Sequence, residues 1–190
     1  MYPLICILQV NLAFSVYFIY LSTLINTQFL AMVKKLLLVR HAEASHDADR
    51  DFDRPLTPSG QVASRLLANW IEKQEYSLNK IFSSEAKRAA TTATIISEVL
   101  GTSLKLEEEL YESSVRTFLK LINEVNTEIE VCAFIAHNPT ITYLAEYITG
   151  EPLNMETAGM VEIDFEMPWN EIGEKSGSFK RYLSSSELAG

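Results

Sequence analysis

Apolar and polar positions along this chain follow two rhythms, and the switch between them marks its elements. Leu36-Leu37-Leu38-Val39, Ile81-Phe82 and Val131-Cys132-Ala133-Phe134-Ile135-Ala136 are unbroken apolar runs, the pattern of strands buried on both faces. They predict strands over 35–39, 80–83 and 130–136. Between them, apolar residues fall three and four apart. Thr57-Pro58 opens a helix, with Thr as cap and Pro in the first turn. Val62, Leu66, Leu67, Trp70 and Ile71 form its predicted core face, with Trp70 as anchor. A second helix is predicted over 89–100, ended by Gly101. A third covers 114–125, with Val115, Phe118, Leu119 and Ile122 on one side. A fourth covers 140–148 and is closed by Gly150. Leu104-Lys105-Leu106 reads as a short strand, 160–165 alternates as a half-buried one, and 179–183 pairs with it at an edge. Residues 184–190 read as a flexible tail.

Strands alternating with helices predict an α/β fold, a mostly parallel central sheet with helices on both faces. Two helices and a short strand fill the interval between Arg88 and the strand at Glu130, which leaves no room for a large cap domain.

Composition divides the chain unevenly. Of its 190 residues, none before Lys34 is Lys, Arg, Asp or Glu. Residues 1–31 therefore read as an apolar leader, and 32–183 as one domain of ordinary soluble composition. Leu4 to Leu24 is long enough to span a bilayer, about 20 residues being needed. Lys34-Lys35 would then hold the domain on the cytoplasmic side. A secretory signal is disfavoured, because a basic start and a small-residue cleavage site are both missing. In the favoured reading Met32 is the true start, since almost no linker separates the apolar stretch from the first core strand.

The formal charge of −9 lies entirely beyond the leader. Without a basic stripe to neutralise phosphates, nucleic-acid binding is not expected. Cys6 and Cys132 are the two cysteines. One core cysteine forms no internal disulfide and no metal-binding spacing exists, so Cys132 reads as a small buried hydrophobe in a reducing, cytoplasmic compartment.

Polar residues interrupt the apolar pattern at three strand exits. Arg40-His41 follows the first strand, Ser84 to Arg88 the second, and His137 the strand at Glu130. In an open α/β sheet the carboxyl edge is where ligands bind. Were these strands parallel neighbours, two arginines and two histidines would surround one pocket. Guanidinium forks match phosphate oxygens, and a neutral imidazole is a competent nucleophile toward phosphorus. Fixed cations stabilise the equatorial oxygens of the transition state without a metal. Residues 44–54 form an acidic loop. Its carboxylates match no recognised calcium loop, and His46 within it reads as solvated.

These residues resemble the histidine phosphatase superfamily (phosphoglycerate mutase-like), and specifically its SixA-type phosphohistidine phosphatase branch. The matching blocks, in family order, are Arg40-His41-Ala42-Glu43-Ala44, then Asp53-Arg54-Pro55-Leu56-Thr57 with Gly60. Ser84, Arg88-Ala89 and Thr91-Thr92-Ala93 follow, then Glu109-Leu110-Tyr111, and finally His137-Asn138-Pro139. The resemblance implies that His41 is the nucleophile and that Arg40 and Arg88 clamp the phosphate. His137 would donate a further hydrogen bond, and Arg54, Asn138 and Ser84 would bind substrate or orient the pocket. It implies no metal and no cofactor. The partner would be a phosphohistidine-bearing protein, with a membrane involved only through the leader. Ala42 stands where the wider superfamily has Gly. Glu109 and Glu112 lie near the region of its general acid, in a different context. A phosphorus–nitrogen bond tolerates a missing acid, so phosphohistidine hydrolysis is the first expectation. The alternatives are a small-molecule phosphomonoesterase using Glu109 or Glu112, and a non-catalytic phosphate-binding module.

Overall fold

The computed structural model describes residues 33–188. The alternatives for the apolar leader, anchor or over-long start, lie outside the described residues. Among the described residues, no helix is long and apolar enough to cross a membrane.

The apolar runs form the strands they predict: β1 (Lys34–Arg40), β2 (Lys80–Ser84), β3 (Ser103–Glu107), β4 (Val131–Ala136), β5 (Met160–Phe165) and β6 (Ser178–Leu183). They make one sheet in the order β3-β2-β4-β1-β5-β6. The pairs β2–β3, β2–β4 and β1–β4 are parallel, and β1–β5 and β5–β6 are antiparallel. The helices are α1 (Pro58–Lys73), α2 (Lys87–Leu100), α3 (Val115–Asn123), α4 (Thr140–Thr149) and a short α5 (Ser185–Leu188).

Alternate side chains of β1 serve two cores, which explains its unbroken hydrophobicity. Leu37 and Val39 join Leu67, Ile71, Ala93 and Ile96 of α1 and α2. Leu36 and Leu38 join Phe118, Ile122, Leu144 and Ile148 of α3 and α4. Each fully buried Leu contributes about 2 kcal/mol. Cys132 is fully buried in β4, and burial pushes its thiol well above the usual range.

Two elements differ from expectation. Thr57 caps α1, accepting from the Gly60 backbone N–H at 3.0 Å, but the buried face is Gly60, Ser64, Leu67, Ala68 and Ile71. Val62 is 59% exposed. Half-buried Trp70 packs on the margin of the core under α1 and α2, edge-on against Tyr76 and beneath Arg181. The cause is at Gly60, where a Cβ would lie 2.2 Å from the Glu43 carbonyl oxygen. The helix turns its small residues toward the loop after β1, and Val62 rotates outward. The tail also departs from expectation at its start. Glu187 accepts from the Ser184 backbone N–H at 2.8 Å and hydroxyl at 2.9 Å, and Leu188 packs on the core under α1 and α2.

Candidate active site

Because β1, β4 and β2 are contiguous and parallel, their exits meet at one sheet edge. Backbone bonds fix the exit of β1 on both sides: His41 N–H donates to the Ala136 carbonyl at 3.0 Å, and Arg40 N–H to that of Gly159 at 3.0 Å. The next residues are tied to both flanking helices. Ala42 N–H donates to the Thr92 hydroxyl at 3.1 Å. The Glu43 carboxylate accepts from the Thr57 hydroxyl at 2.8 Å and from the Ser59 hydroxyl, at the start of α1. An anion there complements the helix dipole.

His41 is buried. Its Nδ1 lies 2.7 Å from the Ala42 carbonyl oxygen, an acceptor only, so Nδ1 carries the proton. Nε2 therefore holds the lone pair, and it accepts from Arg88 Nε at 3.2 Å. Burial, and then the charges of Arg88, Arg40 and Arg54, push its pKa down to about 4 against the opposing Ala42 bond. At neutral pH the ring is an uncharged base.

The His137 ring lies 5.0 Å from that of His41, tilted by 57°. Burial, then the neighbouring His41 and Arg88 charges, push its pKa down to about 3. Arg40 donates from Nη1 to the Met155 carbonyl at 2.9 Å, while its buried Nε has no hydrogen-bond partner among the described residues. Arg88 donates from Nη1 to the Asp51 carbonyl at 2.6 Å and from Nη2 to its carboxylate at 2.9 Å. The same carboxylate takes Arg54 Nη1 at 3.0 Å and the Tyr111 hydroxyl at 3.2 Å. The Arg54 hydrogen bond is the main cause holding Asp51 below the usual carboxylate range. These groups border a cavity of about 780 Å³ lined by Arg40, His41, Arg54, Arg88, His137 and Asn138, with Asp51, Thr57 and Thr157 around them. Fixed cationic donors beside an unprotonated imidazole nitrogen can hold a phosphoryl group and attack it.

Comparison with known proteins places this geometry. Residues 36–140 match the sequence profile of the histidine phosphatase superfamily (branch 1). The chain belongs to that superfamily. Phosphohistidine phosphatase SixA of Escherichia coli strain K12 is 30% identical over 134 residues, 67% of this chain and 82% of that protein. A Hydrogenobacter thermophilus protein, provisionally named phosphoserine phosphatase 2, is 42% identical over 86 residues, 43% of this chain and 41% of that protein. Among solved structures, the protein histidine phosphatase SixA complexed with tungstate superposes with a TM-score of 0.71 at 26% identity. That match covers 81% of this chain and 99% of the other. The sheet is accordingly that of a phosphoglycerate mutase-like α/β fold, and the chain is a phosphatase of the histidine phosphatase superfamily.

Within this superfamily fold, the structure brings Arg40, His41, Arg88 and His137 together, with Arg54 and Asn138 at the same cavity. Asn138 spends both ends internally, donating to the Met155 carbonyl at 3.1 Å and accepting from the Thr142 hydroxyl at 2.8 Å. Ser84, expected to touch substrate, is fully buried behind His137 and does not line the cavity. His46, expected to be merely solvated, is exposed yet lines the cavity mouth. Glu109 pairs with Lys120 at 3.2 Å and borders neither this cavity nor the neighbouring one. Glu112 lines that neighbour, of about 290 Å³, which shares Asp51, Arg88, His137 and Asn138. Sequence reasoning missed Asp51 and the Met155 carbonyl. Asp51 precedes Arg54 at the i,i+3 spacing of a helical turn, a signal hidden among the acidic loop's other carboxylates. Met155 sits in irregular chain between α4 and β5, where no periodicity points to it.

Proposed function

We propose that this phosphatase removes the phosphoryl group from a phosphohistidine on a partner protein, through a covalent phosphohistidine on His41. The observation that carries this reading is the pairing of an Nδ1-protonated, neutral His41 with Arg88 Nε at 3.2 Å from its lone pair. Nε2 attacks phosphorus, and the substrate's P–N bond breaks. Its electron pair returns to the leaving ring nitrogen, which takes a proton from solvent. Arg40, Arg88 and His137 oppose the charge on the equatorial oxygens. A water molecule then attacks phosphorus, the His41–phosphorus bond breaks, and inorganic phosphate leaves. The guanidiniums supply the positive charge that a divalent ion supplies in many phosphoryl-transfer sites, so activity is expected to persist in chelator.

The choice of phosphohistidine is supported by the likeness to SixA over most of the chain and by the carboxylates around the cavity. Asp51 is held ionised by Arg54 and Arg88, and the Thr57 and Ser59 hydroxyls depress the exposed Glu43. Neither is a ready proton donor for an alkoxide, whereas an imidazole leaving group takes its proton from water far more easily. The acidic loop would favour partners with basic surface near the phosphohistidine, and the compartment consistent with the cysteine usage is the cytoplasm. The likeness to the Hydrogenobacter protein and the place of Glu112 at the neighbouring cavity favour a second reading, hydrolysis of a small phosphomonoester with Glu112 as acid. A comparison of kcat/KM for a phosphohistidine peptide, phosphoserine and a sugar phosphate separates the two. Preference for the peptide supports the first, and preference for either ester overturns it.

A further inference from the structure

Ser84 lies outside the cavity lining, yet its hydroxyl oxygen is 2.9 Å from Nε2 of His137. A hydroxyl has one proton to donate and two lone pairs to offer. Here Oγ accepts the backbone N–H of Ala86 at 3.3 Å, at the start of α2. The neighbouring Ser83 hydroxyl turns elsewhere and donates to the Ser84 carbonyl at 3.0 Å. Among the described residues, Nε2 of His137 is thus the partner for the Ser84 proton. A neutral imidazole carries one proton, so a nitrogen that accepts leaves its proton on the other. That other atom, Nδ1, is buried and has no hydrogen-bond partner among the described residues, on a ring that lines the cavity shared with Arg40, His41 and Arg88. Four groups face this ring, His41, Arg88, Asp51 and Tyr111, and none of them is bonded to Nδ1.

We propose that the Ser84 hydroxyl donates to Nε2 of His137 and thereby holds the proton on Nδ1, so that His137 presents a donor, rather than a lone pair, to a phosphoryl oxygen. The proposal rests on the reading of the cavity as a phosphoryl site. Ser84 then acts as a positioning residue: it touches no substrate and works through the ring in front of it. The opposite tautomer would turn a lone pair toward an anion and weaken its binding. A side chain behind the site would therefore decide whether the second histidine attracts phosphate or repels it.

Long-range ¹H–¹⁵N correlation spectra of the full chain at neutral pH read the tautomer directly. Both His41 and His137 are expected as Nδ1–H, and inorganic phosphate should shift the His137 Nδ1 proton. Ser84→Ala should leave His41 unchanged, convert His137 to a tautomer mixture and weaken inorganic phosphate binding about 10-fold to 100-fold, the range typical of lost orienting partners. In turnover, KM should rise and kcat should fall, and Ser84→Thr should restore both in part because it keeps the hydroxyl. A wild-type His137 protonated at Nε2 overturns the proposal, whether or not Ser84→Ala folds. A folded Ser84→Ala that keeps the Nδ1–H form also overturns it, as does phosphate that binds without moving that proton. Failure of the functional reading shows differently, as absent turnover of phosphohistidine peptide with the tautomers unchanged.

Discussion

The two ends of β1 carry charged clusters built on opposite plans. At its start, Lys35 bonds Glu162 and, at 2.6 Å, Asp164. Glu162 also accepts from the Tyr76 hydroxyl at 2.5 Å and pairs with Arg181 at 3.2 Å. Signs alternate there, and each charge has an opposite neighbour. Burial alone would lower the Lys35 pKa, but the hydrogen bonds and charges of Asp164 and Glu162 outweigh it, and the net shift is upward. At the exit of β1, Arg40, Arg54, Arg88 and two histidines crowd together, with the Asp51 carboxylate between Arg54 and Arg88 and the Glu43 carboxylate at the cavity wall. Both imidazoles are driven to their neutral forms, and buried nitrogens of Arg40 and His137 are left without partners among the described residues. A balanced network spends its electrostatics on holding strands together. A like-charged cluster with idle donors keeps its electrostatics for an anion. The two clusters make the difference between structural and functional polarity measurable on one strand.

The sharpest way to break the comparison is His41→Ala. Turnover of a phosphohistidine peptide should fall about 10⁴-fold or more, and no labelled phosphoenzyme should be trapped. Because the neutral ring borders the cavity rather than filling either hydrophobic core, the folded state should lose little. Activity surviving this change would remove the exit of β1 from catalysis. Arg88→Ala should lower kcat/KM by about 10²-fold to 10³-fold, the range for one oxyanion donor, with a matching loss of tungstate or phosphate affinity by calorimetry. At the other end the readouts should reverse. Glu162→Ala leaves Lys35 with Asp164 alone and takes away the partner of Tyr76 and Arg181, and should cost about 2 kcal/mol in urea unfolding, with kcat within about 2-fold of wild type. A catalytic loss there without a stability loss would show that the division between the two ends is wrong.

The smallest effect concerns acid. His41 and His137 titrate near 6.5 when unfolded and at about 4 and about 3 when folded. Between those values the unfolded chain binds more protons, so stability falls as pH falls from about 6.5 toward 4. From pH 7 to pH 6 the two rings together should remove about 1 kcal/mol. Urea midpoints across this window check the slope, which should flatten when both rings are replaced by alanine.

Much of this architecture was legible before any coordinates. Unbroken runs such as Leu36 to Val39 announce strands with two covered faces, and a polar pair that stops such a run must stand at its exit. Thr57-Pro58, Gly101 and Gly150 mark helix ends because cap chemistry is local: Thr57 accepts from Gly60, and both glycines adopt the left-handed conformation at C-caps. The facing of α1 was not legible. Periodicity put Val62 inward, whereas the close approach of Gly60 to Glu43 set the rotation, and contact between two backbones leaves no hydrophobic pattern. The resemblance casts Ser84 as a substrate ligand, and it ends β2 as Arg40 ends β1. Its burial depends on His137 standing in front of it, and His137 arrives from a different strand.

The sequence by itself determined which segments are strands, where each one stops, and which chemistry-bearing residues stand at those stops. These are properties of neighbours along the chain, and side-chain periodicity and cap preferences encode them. Only the tertiary structure decided that β4 lies between β1 and β2, and with it that His137 faces His41 across 5.0 Å. It also decided which ring nitrogen of His41 keeps its lone pair, through the Ala42 carbonyl at 2.7 Å. Strand order follows from the combined burial of two cores, and a tautomer from whichever polar atom packs alongside. Both depend on residues far apart in sequence, so no local pattern could carry them.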